Sequence, residues 1–178
     1  VVNEELYAVG SFTSIDGHAC RGVAKREGSE WVNVGLYSDP DGFIIVDIIS
    51  YNGALIACGD VSPDGDEDGG VIHFDGNSWT PLGGGIVGGQ GTSMAVYKGE
   101  LYVGGLFPIG PNPGKSIMRW NGTEWRNLGI GPQIINGSYQ YNYQMEDLEV
   151  HDDLLFVCGG FKYASGVPAE FVATYDSL

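Results

Sequence analysis

Gly99-Glu100-Leu101-Tyr102-Val103-Gly104-Gly105-Leu106-Phe107 is the stretch that organises this chain. An apolar run leaves a turn and ends in a glycine pair. Leu, Tyr and Val suit a pleated, half-buried strand, and glycine inside a strand marks a close backbone approach. Three more copies follow the same plan: Glu5-Leu6-Tyr7-Ala8-Val9-Gly10-Ser11-Phe12, Ala54-Leu55-Ile56-Ala57-Cys58-Gly59-Asp60-Val61 and Leu154-Leu155-Phe156-Val157-Cys158-Gly159-Gly160-Phe161. Aligned on Gly10, Gly59, Gly105 and Gly159, they lie 49, 46 and 54 residues apart. A regular period of this size marks a repeat architecture, whose units bury their apolar faces only against neighbours.

Two further landmarks keep step with the key run. A turn followed by Trp recurs at Arg26-Glu27-Gly28-Ser29-Glu30-Trp31, Phe74-Asp75-Gly76-Asn77-Ser78-Trp79 and Trp120-Asn121-Gly122-Thr123-Glu124-Trp125. The fourth copy reaches Tyr175-Asp176-Ser177-Leu178. Asp-Gly and Asn-Gly tolerate the positive φ of tight turns, so each copy reads as a hairpin. Val34-Gly35, Leu82-Gly83 and Leu128-Gly129 close the first three copies. A third landmark precedes the key run at Val46–Gly53, Thr92–Gly99 and Glu146–Asp153. Each repeat thus offers four short strands. No segment sustains a capped 3.6-residue period, so almost no helix is expected.

In register, these motifs resemble kelch-type β-propeller repeats of the secreted and surface variety. There, a Leu-Tyr-Val-Gly-Gly-x-Phe strand leads to a Trp-Asn-Gly-x-x-Trp hairpin and then Leu-Gly. Leu101 to Gly129 fits best, and the resemblance covers the whole chain. It implies an all-β fold of about 3.5 four-stranded blades, at 1–43, 44–91, 92–144 and 145–178. By the same resemblance, the run before the key strand is innermost and the Trp strand outermost. The first blade then lacks most of its inner strand and the last its outer strand. The expectation is that residues 1–178 belong to a larger propeller, or to one assembled from several chains through open blade edges.

Composition narrows the partners. The 178 residues hold 30 Gly, 8 Lys plus Arg and 23 Asp plus Glu, for a formal net charge of -15. So acidic a chain repels phosphate backbones and anionic membrane surfaces, making nucleic acid and membrane insertion poor expectations. No run of about 18 apolar residues is present, so no membrane-crossing helix is expected. The N-terminus lacks a basic segment followed by an apolar one: a leader was removed, or the chain starts inside a longer protein. Gly-rich, aromatic-rich, Lys-poor composition suits an extracellular or cell-surface location. Cys20, Cys58 and Cys158 are an odd number, too few for a disulfide framework. Cys58 and Cys158 share one repeat position and read as small buried strand residues.

Several places could carry chemistry. Asp64, Asp66 and Asp68 alternate ahead of Gly69 and resemble the first half of a calcium loop, with Asp75 at the twelfth position. The same residues also read as a solvated acidic loop, and Asp75 belongs to a hairpin turn; calcium bound here would be structural, and no cofactor is required. Asp47, Ser93 and Asp147 share one position on three innermost strands, opposite in side to Ile48, Met94 and Leu148. They could bind a ligand, serve as an acid/base pair, or simply line a hydrated channel. Tyr139, Tyr141 and Tyr143 alternate with amides, a composition suited to stacking sugar rings and equally to strand packing. Asn121 and Asn136 open glycosylation sequons. His18, His73 and His151 lack metal-ligand spacing, and no nucleophile elbow or phosphate loop occurs.

The leading expectation is a non-catalytic extracellular propeller that binds protein or glycan at its face, in adhesion or as a scaffold. A lectin-like propeller, a subunit joined through open edges, and a glycan-processing enzyme using Asp47 and Asp147 are the alternatives.

Overall fold

The computed structural model describes residues 1–35, 44–61, 68–107, 115–128, 145–161, 163–164 and 167–176. Fourteen strands form four antiparallel sheets. Sheet 1 contains β1 (Tyr7–Val9), β2 (Val23–Glu27) and β3 (Glu30–Asn33). Sheet 2 contains β4 (Ile44–Tyr51), β5 (Ala54–Asp60), β6 (Val71–Phe74) and β7 (Trp79–Pro81). Sheet 3 contains β8 (Gln90–Tyr97), β9 (Glu100–Phe107), β10 (Lys115–Trp120) and β11 (Trp125–Asn127). Sheet 4 contains β12 (Met145–His151), β13 (Leu154–Gly159) and β14 (Val172–Tyr175). Every sheet is an up-and-down meander in chain order, with the Trp strand, where present, at one edge. Sheet 3 begins two residues before the segment 92–144 expected for it.

Among the described residues the helical content is a three-residue 3₁₀ turn at Leu82–Gly84. Three two-stranded ribbons were not foreseen: Ser14–Ile15 with His18–Ala19, Asp68–Gly69 with Ile86–Val87, and Tyr163–Ala164 with Val167–Pro168. The first and last occupy identical places in colinear loops, 149 residues apart, as Gly10 is from Gly159. Their backbone bonds correspond too: Gly10 N–H to Gly22 O and Gly159 N–H to Phe171 O, both 3.0 Å. Gly22 has φ 73°, and Phe171 is held at φ 68° in its place.

The antiparallel meander separates two ends. The turns after β4, β8 and β12 are two-residue turns at Asn52-Gly53, Lys98-Gly99 and Asp152-Asp153, all at positive φ. That mirror-image geometry matches strand twist. Longer connections gather at the other end, where each first strand starts. There the register of β4, β8 and β12 slips between Ile45 and Asp47, Gly91 and Ser93, and Met145 and Asp147. These bulges explain the glycine that ends the key run. A Cβ on Gly59 would lie 1.9 Å from the Ile44 carbonyl oxygen, and one on Gly105 would lie 2.1 Å from that of Gln90.

The core lies between successive sheets. Val23 of sheet 1 meets Ile45, Ala57, Ile72 and Trp79 of sheet 2. Ile56 and Cys58 of sheet 2 meet Leu101, Val103 and Trp120 of sheet 3. Tyr97, Tyr102 and Ile117 of sheet 3 meet Leu148, Leu155 and Val157 of sheet 4. No sheet is thick enough to bury both of its own faces, so stacking supplies most of the stabilising apolar burial.

Candidate functional site

The bulges on β4 and β8 each aim one polar side chain across to the next sheet. Asp47, Ser93 and Asp147 occupy the same register, facing Cys58, Gly104 and Cys158. Ser93 and Asp147 bond to each other, and Asp47 bonds to the residue after Ser93. Asp47 Oδ1 accepts from the Ile48 N–H at 2.8 Å, and its Oδ2 accepts from the Met94 N–H of sheet 3 at 2.7 Å. Ser93 Oγ donates to Asp147 Oδ1 at 2.8 Å and accepts from the Leu148 N–H of sheet 4 at 3.2 Å. Asp147 Oδ1 also accepts from the Leu148 N–H at 2.9 Å. Thr92, on the bulge itself, donates to the Met145 carbonyl at 2.6 Å.

Burial pushes the Asp47 carboxyl above its ordinary value; the Met94 and Ile48 N–H groups oppose that, and the charge of Asp147 adds to it. Ser93 is buried, whereas Asp147 is exposed. Chemically, Asp47 and Ser93 act as acceptors that tie backbone N–H groups across two sheet junctions. Cys58 is fully buried, and burial pushes its thiol well up, so it is an inert core residue. All three cysteines are free.

Two more ligatures recur at equivalent positions. Tyr51 Oη donates to the Gly99 carbonyl at 3.4 Å, and Tyr97 Oη to the Asp153 carbonyl at 2.9 Å. Trp79 Nε1 donates to the Val34 carbonyl and Trp125 Nε1 to the Leu82 carbonyl, both at 2.8 Å. The glycine after each acceptor is required. Gly83 sits at φ 63°, and a Cβ there would come 2.3 Å from the Trp120 ring. Trp31 donates instead to Asp16 of the same repeat, at 3.2 Å. These links escaped the reading of the sequence, although Tyr before the turn and Trp after it were visible in register.

Other candidates are not brought together. Asp75 caps its own turn: Oδ1 accepts from the Asn77 and Ser78 N–H groups, each at 2.8 Å, and these bonds lower its carboxyl. Asp64, Asp66, Tyr139, Tyr141, Tyr143 and Asn136 lie outside the described residues. Asp68 contributes backbone to a ribbon. Among the described residues, no three His, Cys, Asp or Glu side chains converge as a metal site. Asn121 Oδ1 accepts from the Thr123 and Glu124 N–H groups at 2.9 and 3.0 Å, a turn role that leaves its Nδ2 for a glycan. His73 meets Thr80, and His151 lies by Asp152. A shallow groove of about 460 Å³ opens between the outer strands of sheets 1 and 2, beside Lys25, Val32, Gly35 and Phe74. No helix among the described residues is long and apolar enough to cross a membrane.

A scan against protein-family models and a search of curated proteins return no match to this chain.

Proposed function

We propose that the chain is part of a kelch-like β-propeller that works outside the cell as a non-catalytic binding, adhesion or scaffold module. The observation that carries this reading is the recurrence of one junction. The same repeat positions supply the Trp indole at the contacts of sheet 1 with 2 and sheet 2 with 3, and the Tyr hydroxyl and bulge acceptor at those of sheet 2 with 3 and sheet 3 with 4. One repeated junction would turn each unit by a similar step, as radially stacked blades require. The inner carboxylate Asp47 is committed to two backbone N–H groups, which favours structure over acid/base chemistry.

A second observation favours membership of a larger propeller or a multichain assembly. Val23, Val71 and Ile117 hold one position and are fully buried by the sheet that follows, while their equivalent Val172 is 57% exposed. A further repeat seated on sheet 4 would cover it.

The test is a pair of assays on the same preparation: glycan and peptide arrays for binding, and a panel of chromogenic glycosides and polysaccharides for turnover. Ligand retention without turnover is the expected result. Turnover abolished in an Asp47→Asn, Asp147→Asn double variant would overturn the non-catalytic reading, and a blank profile on both arrays would overturn the binding module.

A further inference from the structure

The two ends of the sheets differ in what they expose. Ten large hydrophobic side chains are exposed among the described residues, and seven of them sit at the end that carries the longer connections: Ile44, Val46, Val87, Leu106, Val167, Phe171 and Val172. The turn end has Val1 and Leu6. Scattered apolar exposure is ordinary on any protein, whereas clustering at one end marks an interaction surface.

Four residues of this end form a continuous strip across sheets 2 and 3. Ile44 pairs in register with Asp60, and Leu106 pairs with Gln90. Gln90 Nε2 donates to Asp60 Oδ2 at 3.1 Å, closing the gap between the two pairs. Val46, on the bulge of β4, continues the exposed side of Ile44 past the buried Ile45. The strip is therefore aliphatic at both ends, 49% exposed at Ile44 and 45% at Leu106, with a carboxylate and an amide between.

Charge defines what it fits. The key-run strands β1, β5, β9 and β13, and the strands β4, β8 and β12 that precede three of them, contain no Lys or Arg. They carry Asp47, Asp60, Glu100, Glu146, Asp147 and Glu149. Lys25, Arg26, Lys115, Arg119 and Arg126 lie on β2, β10 and β11, which follow the key run, with Lys115 at the loop end of β10. Glu100 is at the turn end and is paired with Arg119 at 3.3 Å. Asp60, Glu146 and Asp147 remain at the loop end as exposed carboxylates. Carboxylates dominate the field around this aliphatic strip, although Lys115 pairs in register with Phe107 beside it, so the strip complements an aliphatic segment bearing cations better than one bearing carboxylates.

We infer that the strip from Ile44 to Leu106 docks a segment of a partner protein in which aliphatic side chains alternate with lysine or arginine. The inference rests on the binding-module reading above and adds to it the end of the molecule and the chemistry of the partner.

The test uses the full chain and three synthetic twelve-residue peptides: alternating Leu and Lys, alternating Leu and Glu, and alternating Ser and Lys. Fluorescence anisotropy reads the dissociation constants. The Leu/Lys peptide binds, and the Leu/Glu peptide binds at least about tenfold more weakly. The Ser/Lys peptide is weaker by a similar factor, because it keeps the charge and loses the apolar contact. An Ile44→Ser, Leu106→Ser double variant weakens the Leu/Lys peptide about tenfold while its melting temperature stays that of the parent, since both side chains are half-exposed. Equal binding of the Leu/Lys and Ser/Lys peptides, or no response to the double variant, overturns the inference. Loss of binding in Leu6→Ser, with Ile44→Ser, Leu106→Ser unaffected, also overturns it but leaves the binding-module reading standing at the other end.

Discussion

The junctions between sheets 1 to 4 and the open face of sheet 4 are built from the same repeat positions, yet only the junctions are closed. Ile117 of sheet 3 is fully buried under sheet 4; Val172, its equivalent on sheet 4, is 57% exposed. Tyr97 reaches the Asp153 carbonyl of the next sheet; His151 stands in its place and is exposed. Ala95 is buried, and Glu149 replaces it. The difference teaches where stability comes from. A strand in this chain is held in its meander by backbone pairing, but its side chains become core only when a neighbouring sheet covers them.

Substitutions at equivalent positions can break or sharpen that contrast. The largest effect belongs to the aromatic clamp. Trp79→Ala removes a 3% exposed indole and its bond to Val34, and is expected to cost about 3–5 kcal/mol by denaturant unfolding. Trp31→Ala, at the equivalent place but with its indole bonded to Asp16 of the same repeat, is expected to cost markedly less. Similar losses for both would mean that the junction contributes nothing special.

Next comes the covered face. Ile117→Ala is expected to cost about 2–5 kcal/mol, while a change of Val172→Ala stays within about 0.5 kcal/mol. Thermal melts of the two variants measure this directly. A substantial loss at Val172 would show that the face is covered in solution, by a second molecule for example, and concentration dependence would then appear.

The smallest of the three lies in the polar row. Asp47→Ala leaves the Met94 and Ile48 N–H groups without their acceptor and is expected to cost about 1–3 kcal/mol. Its pH dependence has a definite sign. Because burial raises the Asp47 carboxyl in the fold, the folded state binds that proton more tightly than the unfolded chain does. The contribution of Asp47 is therefore fullest below the ordinary aspartate range and declines as pH rises through the raised value. The stability gap between parent and variant should narrow over that window. A gap that widens with pH would contradict the burial-driven shift.

Much of this architecture was legible beforehand, and the reason is physical. Turn glycines, key-strand apolar residues and outer Trp residues are dictated by local backbone geometry and one-dimensional stacking, so they recur in register. Period alone puts Asp47, Ser93 and Asp147 at one repeat position, and in the structure they face Cys58, Gly104 and Cys158. What they do there was not legible, because their partners belong to other repeats: Met94 lies 47 residues from Asp47, and Leu148 lies 55 from Ser93. The bulges were equally hidden, although Gly59 and Gly105 are their trace. The colinear loops after Gly10 and Gly159 did carry a signal, the matched Phe12 and Phe161 followed by Gly17 and Gly166, which the key-run alignment passed over.

The central claim is that one recurrent junction joins successive sheets, clamped by an indole N–H between sheets 1 and 2 and between sheets 2 and 3. Hydrogen exchange of the tryptophan Nε1–H groups, followed by NMR, tests it most directly. Trp79 and Trp125, bonded across junctions to Val34 and Leu82, should exchange slowly, and Trp31, bonded to the exposed carboxylate of Asp16, should exchange fast. Exchange at Trp79 and Trp125 as rapid as at Trp31 would contradict the account.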